Sequence, residues 1–425
     1  MSELWSAPNR DAAISKTVRI PGSKSLTNRW LILAAIANGP SRINFPLKAR
    51  DTELMASAIK SLGNSVEVDG DSWVVTPGDF SGSTEIDCGL AGTVMRFVPP
   101  IATLSTGAIR FDGDPRARVR PMSAVIKALR ELGAEIVDDG RGTLPFVINA
   151  KGFMPGGRVE IDASASSQFV SALLLAGARF DEGLTVTHLG GNLPSLPHIE
   201  MTIEVLGETG VTVESNLMNL QNASWTIAPQ SPKGFSITVE PDLSNAAAFV
   251  AAALVAGGQV TIENWPAKTS QAGNALVDLV PMLGGQVKRV GSDMVFVGSG
   301  SITGINADLS AVGELTPVIA ALCALADSPS ELTGIGHLRG HETDRLAALA
   351  TEINKLGGNV IETEDGLKIN PSKLSGGVFS TYEDHRMAMA GAVLGLKVKN
   401  LQIENIATTG KTLPEFAQMW LELVS

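Results

Sequence analysis

The chain has 425 residues, 44% of them hydrophobic and 18% charged, which is enough for two or three domains with ordinary cores. Its net charge of −11 argues against non-specific binding to nucleic acid or to an anionic membrane surface, and its two cysteines exclude a disulfide framework and fit a reducing cytoplasm. No basic segment followed by an apolar leader opens the chain, and the longest apolar runs, such as "AAAFVAAALVAGG" from Ala246, are too short to span a bilayer.

Taken in chain order, one pattern keeps returning. An amphipathic helix ends in Leu-Gly or a near equivalent and leads into a β-rich pair. Copies start at Asp51, Arg120, Pro197, Ser270 and Thr343, and a shortened one starts at Thr412. Each has apolar residues at i, i+3, i+4 and i+7, the mark of one buried face. Gly63, Gly133, Gly210, Gly284 and Gly357 follow at near-constant spacing and predict left-handed C-caps. Asp69-Gly70 and Asp365-Gly366 predict hairpin turns.

A second helix recurs out of phase with the first and is apolar nearly all round. Its copies start near Lys24, Gly92, Ser166, Ser244, Glu314 and His385. A helix apolar on every side lies inside a domain. Each unit therefore has one surface helix, one interior helix and strands between them. The fold class is α/β (α+β), with the six units dividing into two domains of three and the break near Pro241.

The interior helices start with polar residues. Buried helix N-termini carry unpaired N–H groups and partial positive charge, so they suit anions. Here they also carry Lys24, Ser25 and Arg29; Thr93 and Arg96; Ser166, Ser167 and Gln168; and Asp384, His385 and Arg386. Capping by Ser or Asp explains one such residue per helix. It does not explain a lysine and an arginine beside the cap. The concentration of cations in an acidic protein points to substrates bearing phosphates and carboxylates. For packing, Lys24 reads as a surface position whose loss costs little stability.

With "PGSKSLTNR", "LAGTVMR", "SASSQFVSALL", "HETDRLAALATEI", "DHRMAMA" and "GKTLPEF" in this order, the sequence resembles the 5-enolpyruvylshikimate-3-phosphate synthases (3-phosphoshikimate 1-carboxyvinyltransferases) from about residue 15 to its end. The resemblance implies an enolpyruvyl transferase fold: two domains, each of three βαβαββ units around buried helices. It implies a first domain over 21–240, a second formed by 1–20 plus 241–425, and an active site in the cleft between them. It also implies transfer of the enolpyruvyl group of phosphoenolpyruvate to the 5-hydroxyl of shikimate 3-phosphate. Phosphate is released through a tetrahedral adduct, without metal or cofactor, in the shikimate pathway that leads to chorismate and the aromatic amino acids.

By the same resemblance, phosphoenolpyruvate falls to Lys24, Gly92, Arg120, Gln168, Arg345, Arg386 and Lys411. Shikimate 3-phosphate falls to Lys24, Ser25, Arg29, Ser166, Ser167, Gln168, Ser195, Glu314 and His341. The catalytic set is Lys24, Glu314, Glu342 and Lys411, with Glu314 taking the proton of the attacking hydroxyl and Glu342 protonating the methylene carbon. Read from the residues alone, Glu342 fits a helix N-terminal charge equally well. The resemblance further implies a cytoplasmic monomer and inhibition by glyphosate in the donor site beside Gly92. The family commonly has Asp at Glu314, Lys at His341, Tyr at His198, and Asn at Leu90 and His337. His341 then contacts its ligand as a cation only when protonated.

His337 and His341 stand four apart, a helical metal spacing, but Gly336 and Gly340 argue for a loop and no third ligand lies near. Neither a G-x-G-x-x-G nor a P-loop motif occurs, which argues against nucleotide binding. Cys323 lies in an apolar helix, and Cys88 has no nearby group to activate it apart from distant Arg96. A related rival is UDP-N-acetylglucosamine enolpyruvyl transferase, which carries a reactive cysteine in the loop that here reads "GDPRARVRP". A non-catalytic anion-binding protein on the same fold is the other rival; Glu314, Glu342 and Lys411 argue against it.

Overall fold

The computed structural model describes residues 3–425 and divides into two compact units. One is the continuous segment Gly22–Val239; the other joins the residues up to Pro21 to Glu240–Ser425. Each encloses its own apolar core, one drawn from residues between Leu26 and Val239, the other from residues in 14–20 and 243–424.

Among the described residues, twelve α-helices follow one another in strict alternation: α1 (Lys24–Ile36), α2 (Arg50–Ser61), α3 (Gly92–Ala102), α4 (Ser123–Glu131), α5 (Gln168–Gly177), α6 (Leu196–Glu208), α7 (Leu243–Ala256), α8 (Leu276–Met282), α9 (Thr316–Ala324), α10 (Arg345–Lys355), α11 (His385–Gly395) and α12 (Phe416–Val424). The odd-numbered helices are interior. Within them only Lys24 and Ser25, Gly92, Gln168 and Ser244 escape full burial, and each lies in the first two residues of its helix. The even-numbered helices bury one stripe, as α4 does with Val125, Ile126, Ala128 and Leu129. Each fully buried Leu or Ile stabilises by about 2 kcal/mol, so the six interior helices anchor the two cores.

The strands of the described residues form six small sheets. The sheet of Thr84–Asp87, Thr106–Asp112, Phe146–Lys151 and Glu135–Val137 shows the common plan. Its first two strands are parallel and flank α3, and the last two close an antiparallel hairpin after α4. That is one βαβαββ unit. Two units are completed from elsewhere in the chain. Ser236–Thr238 supplies the parallel strand beside Ser41–Asn44, and Ile14–Val18 supplies the one beside Gly258–Ile262. The sixth sheet has three strands, and Leu4–Ser6 pairs antiparallel with Leu401–Glu404 where the C-terminal unit is short.

The glycines after the even helices adopt positive φ: 104° at Gly63, 111° at Gly133, 84° at Gly210, 89° at Gly284 and 92° at Gly357. At Gly63 a Cβ would lie 2.3 Å from the Asp79 carbonyl oxygen, so this turn admits no side chain. Two expectations change. The helix predicted from Ser270 begins as a 3-10 turn, Ala272–Ala275, before the short α8. Gly273 packs so closely on the start of α7 that a Cβ there would sit 2.5 Å from the Leu243 carbonyl carbon. The segment carrying His337 is not an irregular loop but a 3-10 helix, Gly336–Gly340.

Candidate active site

In Gly22–Val239 the polar residues gather at the N-termini of α1, α3 and α5. Ser23 caps α1 by accepting from the Leu26 N–H, so capping is already served when Lys24 follows. Lys24 Nζ lies 3.3 Å from Asp51 Oδ2, and the Asp51 side chain is only 2% exposed. Asp51 Oδ1 is buried with no hydrogen-bond partner among the described residues. Lys24 is therefore not the surface position expected for packing: its removal leaves a buried carboxylate without this ion pair.

The N-cap residues of α3 and α5, Ala91 and Ser167, make no side-chain cap bond. Arg120 Nη1 donates to the Leu90 carbonyl at 3.2 Å and its guanidinium lies over Gly92, where a Cβ would come within 2.9 Å of Nη2. Arg96 Nη1 donates to Gln168 Oε1 at 2.7 Å, and the guanidinium stacks 5.2 Å from the Phe169 ring centre. Ser166 Oγ accepts from the Gln168 N–H, next to Ser167. Ser195 precedes α6 with φ 51°, a left-handed turn that breaks the chain before the helix.

Arg29 is 1% exposed and committed to the fold. Its Nε donates to Thr202 Oγ1, Nη1 to the Ser25 carbonyl and Nη2 to the His198 carbonyl, so it clamps α1 to α6. Burial pulls its guanidinium down to about 9, which leaves it charged at neutral pH.

In the other unit the groups converge on α10 and α11. Arg345 grips Asp384 through Nε at 2.8 Å and Nη2 at 3.2 Å, and Nη2 also reaches Glu342 Oε2 at 3.0 Å. Lys411 Nζ lies 3.4 Å from the other oxygen, Glu342 Oε1. Burial alone would lower Arg345, but Asp384 and Glu342 outweigh it and hold it above the usual arginine range. Burial does lower Arg386, and neighbouring Arg345 adds to that, against Asp242, Glu314 and Asp384. Arg386 Nη1 donates to the Ser244 carbonyl at 2.7 Å, and Ser244 Oγ donates to Glu314 Oε1 at 3.3 Å.

The helix-start alternative for Glu342 goes to its neighbour. Asp344 caps α10, accepting from the Ala347 N–H, while Glu342 turns to Arg345 and Lys411. His341 Nδ1 lies 3.3 Å from Arg345 Nη1. The same nitrogen lies 4.0 Å from Glu342 Oε2, so the imidazole stands between a guanidinium and a carboxylate.

The structure brings Lys24, Ser25, Gly92, Arg120, Ser166, Ser167, Gln168 and Ser195 into one unit, and Glu314, His341, Glu342, Arg345, Arg386 and Lys411 into the other. Asp51 escaped the sequence reading because an Asp at the start of an amphipathic helix reads as a charge complementing the dipole. Ser244 and Asp384 were legible as helix starts but not as partners of Glu314 and Arg345. Cys88 is fully buried; burial pushes its thiol up, with Asp87 and Asp112 adding to the effect, so it is no nucleophile. Burial likewise pushes Cys323 up to about 11.

The family model of EPSP synthase (3-phosphoshikimate 1-carboxyvinyltransferase) matches residues 8–420. The chain belongs to the EPSP synthase family. A 3-phosphoshikimate 1-carboxyvinyltransferase from Kocuria rhizophila is 52% identical over 439 residues, covering 99% of this chain and 97% of that protein. Among solved structures, an EPSP synthase from Acinetobacter baumannii superposes with a TM-score of 0.81 at 23% identity, covering 100% of this chain and 98% of that one. The enolpyruvyl transferase NikO from Streptomyces tendae superposes at 0.75 with 18% identity, over 99% and 96%. At these identities the two structures establish the shared fold, which is that of EPSP synthases and enolpyruvyl transferases.

Proposed function

We infer that the chain is a 3-phosphoshikimate 1-carboxyvinyltransferase: it transfers the enolpyruvyl group of phosphoenolpyruvate to the 5-hydroxyl of shikimate 3-phosphate and releases phosphate. The observation that carries this is 52% identity to a named enzyme of that activity across nearly the whole of both chains. The chemistry of the side chains agrees. Both substrates carry a phosphate and a carboxylate, and the site residues are dominated by lysines, arginines and helix N–H groups.

We propose that the two sets of residues serve one substrate pair. Arg120, Arg345, Arg386 and Lys411, with Lys24, hold phosphoenolpyruvate. Ser25, Ser166, Ser167, Gln168, Ser195 and the His341 imidazole hold shikimate 3-phosphate. Arg29 acts on that ligand through the position of α6 and the Ser25 backbone. The 5-hydroxyl oxygen attacks C2 of phosphoenolpyruvate and gives its proton to Glu314, while C3 takes a proton from Glu342 and becomes a methyl group. In the second half the C2–O bond to phosphate breaks, phosphate leaves, and the methyl returns a proton to the Glu342 carboxylate, which restores the double bond. Glu342 stands against Arg345 and Lys411, the cations assigned here to the donor.

We place the enzyme in the cytoplasm as a monomer. Both cysteines are free thiols, as a reducing compartment keeps them. No helix among the described residues is long and apolar enough to cross a membrane. The test is phosphate release with both substrates, with each alone, and with UDP-N-acetylglucosamine as acceptor. Release only with phosphoenolpyruvate and shikimate 3-phosphate together is expected. Release with the nucleotide sugar, or none with either acceptor, overturns the reading.

A further inference from the structure

Two consecutive residues just before α11 sit in the left-handed region: Tyr382 at φ 55° and Glu383 at φ 59°. Neither is Gly, Asn or Asp, the residues that tolerate this backbone at little cost. A pair of strained residues persists only where the surroundings over-determine it. They connect the strand Gly377–Phe379 to Asp384, the fully buried residue that caps α11 and holds Arg345.

The constraint comes from Glu352 on α10. Its side chain is 2% exposed, and although it lies within the motif "HETDRLAALATEI" the sequence reading gave it no role. Oε2 accepts from the Ser380 N–H at 2.8 Å and from Lys355 Nζ at 3.1 Å; Oε1 accepts from the Tyr382 hydroxyl at 2.8 Å. Tyr382 is the chain's single tyrosine. Burial, with Glu352 beside it, pushes the phenol up to about 12, so it remains a donor. The Asp384 N–H closes the turn on the Thr381 carbonyl at 2.9 Å.

Glu352 follows Arg345 by two helical turns and so lies on the same face of α10. One helix face thus grips the 380–384 segment at both ends: Glu352 at Ser380 and Tyr382, Arg345 at Asp384. We propose that Glu352 and Tyr382 are positioning residues for the phosphoenolpyruvate site. They hold Tyr382–Glu383 in the left-handed backbone that aims Asp384 at Arg345 and fixes the start of α11, from which Arg386 projects. This rests on the donor-site reading of Arg345 and Arg386.

The experiment is steady-state kinetics of the full-length enzyme against both substrates. The variants are Tyr382→Phe, Glu352→Gln, Glu383→Gly, the double Tyr382→Phe/Glu383→Gly, and Arg386→Lys as a reference. Tyr382→Phe removes one oxygen and keeps the ring, so folding is preserved. Loss of a hydrogen bond to a carboxylate should raise KM for phosphoenolpyruvate about tenfold in Tyr382→Phe and in Glu352→Gln, with KM for shikimate 3-phosphate changed by less than about twofold. Glycine adopts positive φ without the clamp, so the double variant should recover to within about threefold of the parent. A packing role alone gives no such rescue. An unchanged donor KM in both clamp variants, with Arg386→Lys raising it, overturns the proposal. So does an equal rise in both KM values without rescue by glycine. If Arg386→Lys leaves the donor KM unchanged, the donor-site reading fails and the clamp falls with it.

Discussion

Single residues here often carry two duties. Lys24 stands at an open helix end and also neutralises buried Asp51. Lys24→Ala should therefore abolish nearly all turnover and also cost about 3 kcal/mol of stability, the usual range for breaking a buried ion pair from one side. Adding Asp51→Asn should recover more than half of the stability and none of the turnover. Denaturant midpoints of the single and double variants decide this; an unchanged midpoint in Lys24→Ala would show that Asp51 is satisfied without it. Gly92 is a second case. A Cβ there meets the Arg120 guanidinium at 2.9 Å. That group ends a flexible side chain, so Gly92→Ala should fold normally but displace it. Glyphosate is longer than phosphoenolpyruvate, so inhibition should weaken more than donor KM rises. Inhibition constants and KM for both proteins test this, and equal inhibition would remove Gly92 from the donor site.

At the scale of elements, α4 and the turn after it hang on Asp138. This residue accepts from Arg130 at the end of α4 and from the backbone N–H groups of Gly140 and Gly142. The Arg130 hydrogen bond is the main reason its carboxyl titrates below the usual range; burial opposes it and the two N–H groups reinforce it. Because the folded pKa is depressed, its contribution is complete above the unfolded value near 4 and is lost as pH falls through the lower folded value. Asp138→Asn should cost about 2 kcal/mol at pH 7 and progressively less below pH 4. Unfolding free energies of the two proteins across that range provide the check; a constant difference would mean the charge is irrelevant.

For the whole molecule, the separate cores make a direct prediction. Gly22–Val239 is continuous, encloses its own apolar cluster and carries both strands of each parallel pair it needs. Produced alone, it should fold cooperatively, with dispersed amide resonances and a single melting transition. It should also bind shikimate 3-phosphate more weakly than the full chain, because Ser25, Ser166, Ser167 and Ser195 all belong to it. A molten or aggregated product would show that the second unit is needed for folding. Glu240–Ser425 alone lacks the strands Leu4–Ser6 and Ile14–Val18 and should expose two sheet edges.

The repeat, the alternation of interior and surface helices and the positive-φ glycines were legible in the sequence because each is written in local periodicity and turn chemistry. So were the cations at the helix starts, since a lysine beside a capping serine conflicts with simple burial. What local pattern could not supply was pairing across sequence distance. Only the tertiary structure decided that Ile14–Val18 completes a sheet with Gly258–Ile262, that Lys24 answers Asp51, that Asp344 rather than Glu342 caps α10, and that Glu352 holds the strained turn before Asp384. A buried carboxylate on an amphipathic helix looks like any other polar residue until the chain folds; its role is set by the donors that burial forces it to find.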